Sequence, residues 1–142
     1  MPAFVHRFRV RYAECDAQGV VFNAHYVTYF DNTITELWRE AFGSYAAMLE
    51  AGTDMVVAEV RVRYLRPAAF DQEIDVAAEI VRLGTTGMTT RFAVTIAGEE
   101  ELAEGEVRHV FVDPETKLKK PIPEDIRRGL SPYRAEEAAT AS

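Results

Sequence analysis

The amino-acid sequence predicts an α+β fold: an antiparallel sheet of about five strands curved around one long helix. Three observations predict it. Residues 3–12 alternate apolar with mostly charged side chains, the period of a half-buried strand. Residues 23–42 carry apolar side chains three and four apart, the period of an amphipathic helix. From Met55 to Val112 the period returns to two, broken by turn residues.

In the first strand Phe4, His6, Phe8, Val10 and Tyr12 share one face, and Val5, Arg7, Arg9 and Arg11 the other. The helix is expected from Asn23 to Phe42. Tyr26, Phe30, Thr33, Ile34, Leu37, Trp38 and Ala41 form its stripe, and Gly43 suits its end. Trp38 and Phe42 widen the stripe, as suits a helix wrapped by a curved sheet. A short helix over Tyr45–Ala51 stops at Gly52. Strands follow at Met55–Leu65, closed by Arg66-Pro67, and at Glu73–Leu83, where Ile74, Val76, Ala78 and Ile80 align. Gly84-Thr85-Thr86-Gly87 turns the chain into Met88–Ala97, and Gly98-Glu99 turns it into Leu102–Val112, completing a meander. Residues 112–121, "VDPETKLKKP", read as a turn and short edge, and Pro123–Gly129 as one or two helical turns. Residues 1–130 are thus expected to form a single domain; 131–142 lack a core pattern and are expected to be a mobile tail. The open sheet edges need cover, and self-association is the expected answer.

The chain has 142 residues, 48% hydrophobic and 27% charged, ordinary for one globular domain. No apolar run approaches the roughly 20 residues that cross a bilayer, so no membrane insertion is expected. The N-terminal "MPAFVHRFRV" lacks the apolar block of a signal peptide. One cysteine, Cys15, excludes an internal disulfide and suits a reducing compartment, so the expected location is cytoplasmic. A net charge of −7 argues against nucleic acid, whose binding is driven by phosphate neutralisation. A small anionic ligand remains open, because it needs only a local pocket. His6, His25, His109 and Cys15 lack metal-ligand spacing, so neither metal nor cofactor is expected.

Chemistry concentrates in "ECDAQGVVFNAHYVTYFD", residues 14–31. Asp16 lies in a turn with Gly19, just before the long helix. A carboxylate there can act as nucleophile or general base, while free N–H groups at the helix entry polarise a carbonyl. Asp-x-x-Gly is also a common turn, and Asn23 also reads as a helix N-cap. Cys15 sits between Glu14 and Asp16, which disfavour a thiolate, so a structural role is expected for it. His25 contacts substrate or packs. The turn Gly84–Gly87 offers N–H groups and hydroxyls to phosphates, or is a plain hairpin. Arg61, Arg63, Arg82 and Arg91 are strand cations, expected to be solvated or paired, and Lys117, Lys119 and Lys120 form a short basic run, expected to be a solvated face.

The stretch "CDAQGVVFNAHYVTYFD" resembles the signature of the 4-hydroxybenzoyl-CoA thioesterase family of hotdog proteins, and that of the related Tol–Pal-associated acyl-CoA thioesterases. The pattern is Asp16, Gly19, the apolar triplet Val20-Val21-Phe22, Asn23 and Tyr26. "VRYLRPAAFDQEIDV" and "GTTGMTTRF" extend the resemblance across residues 4–125. It implies hydrolysis of an acyl-CoA thioester, with coenzyme A as part of the substrate. Asp16 then matches the catalytic carboxylate, and Asn23 the position whose backbone N–H binds the thioester carbonyl. Gly19, Val20, Val21, Phe22, His25 and Tyr26 are expected to line the substrate site, and Gly84, Thr85, Thr86 and Gly87 to contact CoA. Joined sheets and paired dimers, a homotetramer, are implied too. Two departures stand out: position 23 is Asn where relatives often carry Tyr or His, and the turn 84–87 lacks the Arg or Lys of some members. A non-catalytic binder of acyl-CoA or acyl-carrier protein shares the fold, as does a dehydratase with a catalytic His.

Overall fold

The computed structural model describes residues 4–96 and 100–135. In chain order the elements are β1 (Phe4–Arg9), α1 (His25–Phe42), α2 (Tyr45–Glu50), β2 (Asp54–Tyr64), β3 (Glu73–Leu83), β4 (Gly87–Ile96), β5 (Glu100–Val112) and α3 (Glu124–Leu130). The strands form a five-stranded antiparallel sheet in the order β1-β3-β4-β5-β2. The expected meander holds for β3, β4 and β5. β2 instead lies at the far edge, paired with β5. The reason is the linkers. β3 and β4 are joined by a tight hairpin, whereas residues 65–72 carry the chain across the sheet, with the Leu65 and Arg66 N–H groups both on the Leu102 carbonyl.

Period-two burial gives the sheet its inner face: Ile74, Val76, Ala78 and Ile80 of β3 and Met88, Phe92 and Val94 of β4 are buried. Against it α1 buries Tyr26, Tyr29, Phe30, Thr33, Ile34, Leu37 and Trp38. The approach is close at Gly105 of β5. A Cβ there would stand 2.6 Å from Phe30 Cε2 and 2.7 Å from the Arg61 carbonyl oxygen. Phe30 occupies that gap and stacks on Phe92, the register partner of Gly105, with centroids 4.4 Å apart and planes 14° apart. The outer face carries cross-strand ion pairs, Arg61–Glu106, Arg63–Glu104, Arg91–Glu79 and Arg108–Glu59. Three of the expected strand cations are therefore paired.

The boundaries differ from the sequence reading in instructive places. β1 ends at Arg9, because Val10 bonds Asp71 and Gln72 and the chain then leaves the sheet. Tyr12 opens a 3-10 turn, Tyr12–Glu14, and is 80% exposed, edge-on to Phe70. Asn23 is not the N-cap of α1. That position is Ala24, and no side chain caps it. The part of the expected tail that is described, 131–135, forms a 3-10 turn and docks on β3 through the Ala135 N–H to the Ile80 carbonyl. Residues 136–142, and the turn expected at Gly98-Glu99, lie outside the described residues. Among the described residues no helix is long and apolar enough to cross a membrane.

Candidate active site

Residues 14–22 fold back on themselves as a small hairpin. The Asp16 N–H donates to the Val20 carbonyl at 2.9 Å, the Gly19 N–H to the Asp16 carbonyl at 3.0 Å, and the Phe22 N–H to the Glu14 carbonyl at 3.0 Å. Gly19 has φ 80°, a left-handed backbone that glycine adopts without strain. The hairpin is moored to the β2–β3 linker by a bridge between Val20 and Ala69 and by the Val21 N–H on the Ala68 carbonyl at 2.8 Å. Asp16 is exposed at the tip. Its Oδ1 accepts the Gln18 N–H at 2.8 Å, and Oδ2 has no partner among the described residues.

The helix entry follows at once. The Phe22 carbonyl accepts the His25 N–H at 2.9 Å, which fixes the peptide plane whose opposite pole is the Asn23 N–H. The Asn23 carbonyl accepts the Tyr26 N–H and the Tyr64 phenol, the latter at 2.9 Å. The N–H groups of Asn23 and Ala24 find no acceptor among the described residues. They stand at the positive end of an 18-residue helix, where unbonded donors attract a carbonyl oxygen or an anion.

The expected lining residues divide. Val21 and Tyr26 are buried, while Val20 and His25 are half-buried. Phe22 is 47% exposed, because the hairpin pleat turns it away from Val21, and it leans edge-on against His25. Tyr26 packs between Tyr29 and Tyr64, and burial raises its phenol above the ordinary range. Cys15 is half-buried, with Sγ 3.7 Å from the Arg11 carbonyl.

The turn Gly84–Gly87 is held from beneath. Its carbonyls are taken by the protein: Gly84 by Arg127 Nη2 at 2.6 Å, Thr85 by the Ile122 N–H at 2.9 Å, and Thr86 by the Phe111 N–H at 2.8 Å. The N–H groups of Thr85 and Thr86 have no acceptor among the described residues. This turn and the Asp16 hairpin are not brought together within the chain. They flank opposite ends of β3, whose 11 residues span roughly 35 Å.

Sequence reasoning missed Glu14, Tyr64 and Arg127. Glu14 had a local signal, the spacing Arg11-x-x-Glu14. Tyr64 and Arg127 act across 41 and 43 residues and had none.

A curved antiparallel sheet around one long helix, with a carboxylate hairpin at the helix entry, defines a hotdog-fold protein of the thioesterase type. The chain belongs to the thioesterase-like superfamily, whose family model matches residues 10–130. It is 31% identical over 118 residues to the acyl-CoA thioester hydrolase YbgC of Escherichia coli, covering 83% of this chain and 88% of that one. Among solved structures, a hypothetical protein, TT1821 from Thermus thermophilus, matches with a TM-score of 0.82 at 32% identity, covering 89% of this chain and 96% of that one. A 1,4-dihydroxy-2-naphthoyl-CoA thioesterase from Synechocystis matches with a TM-score of 0.83 at 15% identity, over 91% of this chain and 96% of that one, a likeness of fold.

Proposed function

We propose that this chain is an acyl-CoA thioesterase, converting a thioester and water into a carboxylic acid and free CoA. The observation that carries the reading is the pairing of an exposed carboxylate, Asp16, with the unbonded Asn23 N–H across one short hairpin. The Asn23 N–H donates to the thioester carbonyl oxygen and stabilises the oxyanion as the carbon becomes tetrahedral. Asp16 either attacks that carbon or takes the proton of an attacking water. The thiolate then leaves and is protonated; where Asp16 has attacked, water next cleaves the mixed anhydride formed on it, freeing the carboxylic acid and restoring the carboxylate. The kinship with an acyl-CoA thioester hydrolase supports the same chemistry.

Gly19, Val20, Val21, Phe22, His25 and Tyr26 border the acyl group on this reading. The turn Gly84–Gly87 receives the CoA phosphates through the Thr85 and Thr86 N–H groups, with Arg127 supplying the cation that the turn itself lacks. Because hairpin and turn lie at opposite ends of β3, a substrate touching both takes them from different chains. The open edge of β2, with Val56, Val57 and Tyr64 exposed, supports sheet-to-sheet pairing of two copies.

The test is thiol release from aliphatic and aromatic acyl-CoAs by the wild-type chain and by Asp16→Asn. Asparagine keeps the Oδ1 acceptor for the Gln18 N–H, so the hairpin should survive. The expected outcome is a kcat lower by about 10²- to 10⁴-fold with KM little changed. Wild-type turnover by the variant would remove Asp16 from the mechanism. Saturable CoA binding by the wild type without thiol release would instead make the chain a non-catalytic binder.

A further inference from the structure

We infer that Glu14 is a positioning residue for hydrolysis, the common anchor that holds the Asp16 carboxylate and the Asn23 N–H at a fixed separation. This rests on the reading of Asp16 and Asn23 given above.

Glu14 is 8% exposed, an unusual place for a carboxylate in a chain whose other acids mostly face solvent. Every contact it makes belongs to the site's scaffold. Oε1 accepts the Arg11 N–H at 2.9 Å and the Tyr29 hydroxyl at 2.9 Å. Oε2 accepts Arg11 Nε at 3.1 Å and Nη2 at 2.9 Å. The backbone carbonyl of Glu14 accepts the Phe22 N–H at 3.0 Å.

Three segments therefore meet at this one residue. Arg11 fixes the exit from β1. Tyr29, in the second turn of α1, fixes the helix. Phe22 precedes the Asn23 N–H by one peptide, and Asp16 follows Glu14 by two residues. Sliding the hairpin along the helix would require Glu14 to break with Tyr29 or with Phe22. The phenol of Tyr29 is itself buried, between Phe8 and Tyr26, so it cannot follow. Burial pushes the Glu14 carboxyl up, but the Arg11 N–H, the Tyr29 hydroxyl and the Arg11 guanidinium outweigh it and hold it below the ordinary range. The anchor is thus an anion, and its strong acceptors make the link stiff.

The experiment uses the full chain and compares Glu14→Gln, Tyr29→Phe, Asp16→Asn and Asp75→Asn. Glutamine keeps one acceptor but turns an amide NH₂ toward the Arg11 fork, loosening the anchor without emptying the space. Tyr29→Phe removes one hydrogen bond. Asp75 is the control: it is buried, 7% exposed, and paired with Arg7 across β1 and β3, with no hydrogen bond to the hairpin among the described residues. The expected result is a kcat lower by about 10- to 100-fold for Glu14→Gln, with KM held within about twofold. Tyr29→Phe should lower kcat in the same direction, and the double variant should be no worse than Glu14→Gln alone. Asp75→Asn should lower Tm with kcat unchanged.

Wild-type kcat in either Glu14→Gln or Tyr29→Phe, beside an inactive Asp16→Asn, would overturn the inference and leave the proposed reaction standing. Equal losses of kcat in Asp75→Asn and Glu14→Gln would overturn it too, by making the effect one of general stability. A fully active Asp16→Asn would sink the reading of the site itself.

Discussion

Gly105→Ala puts a single methyl where α1 closely approaches the sheet. Its Cβ would lie 2.6 Å and 2.8 Å from the Phe30 ring and 2.7 Å from the Arg61 carbonyl oxygen. Carbon atoms in ordinary contact stand about 3.5–4.0 Å apart, so the neighbours must retreat by roughly 1 Å. Neither is free to do so. The Arg61 carbonyl belongs to β2, registered on β5 by hydrogen bonds. Phe30 is fully buried and stacked on Phe92. Overpacking of this kind costs about 1–3 kcal/mol, and the lower unfolded-state entropy of alanine returns about 0.4–1 kcal/mol. A net loss of about 1 kcal/mol lowers Tm by roughly 2–5 °C for a chain of this size. Urea denaturation should show a lower midpoint with an unchanged slope. Phe30→Leu in the same chain should recover part of the loss, because the ring is only one of the two obstacles. An unchanged or higher Tm for Gly105→Ala would refute the argument that helix and sheet touch through this gap.

Two further outcomes are expected. His109 is buried on β5, 4% exposed, with Nδ1 unpartnered among the described residues, and burial pulls its pKa down from 6.5 to about 4. The unfolded chain therefore takes the proton first: stability is full above about pH 6.5 and falls as pH drops toward about 4, by up to about 3 kcal/mol. His109→Leu should flatten this part of the pH–stability curve in urea titrations; the wild-type slope in the variant would exclude His109 as the source. Arg127→Ala releases the Gly84 carbonyl from beneath the turn Gly84–Gly87, which is proposed to receive CoA. KM for an acyl-CoA should rise about fivefold, the worth of one hydrogen bond, with kcat held. KM for a truncated thioester lacking the nucleotide should not move, and equal effects on both substrates would count against a CoA contact at this turn.

Periodicity made the elements legible, and it did so wherever burial follows a helical or strand repeat. Ile74 to Ile80 and Tyr26 to Trp38 declare their faces without reference to anything distant. It failed where a residue's place is set by a partner far away in sequence. β2 looks like the first arm of a meander, and nothing in Met55–Leu65 says that it pairs with β5. The choice is made by the linker at 65–72, whose N–H groups find Leu102. Gly105 interrupts an otherwise regular strand, and only the Phe30 ring and the Arg61 carbonyl, both distant in sequence, explain the lack of room for a side chain.

The candidate site shows the same division at finer scale. The letters Asp16, Gly19 and Asn23 are local, and the turn they predict is the turn observed. Their relation to one another is not local. The sequence suggested Asn23 as a cap, yet the helix starts two residues later, and what Asn23 offers is a backbone donor left unbonded because its peptide is held at the other pole by His25. A donor of this kind is useful for catalysis only if it stays where the carboxylate can use it. A turn and a helix end, each correct by itself, still need a tie between them, because a misplacement of about 1 Å can cost about 10²-fold in rate. The tie that prevents this runs through Glu14 to Tyr29, a link of 15 residues between two side chains that a pattern search passes over as an ordinary acid and an ordinary core tyrosine. Chemistry in such a site is written in the exposed residues, and its precision in the buried pair behind them.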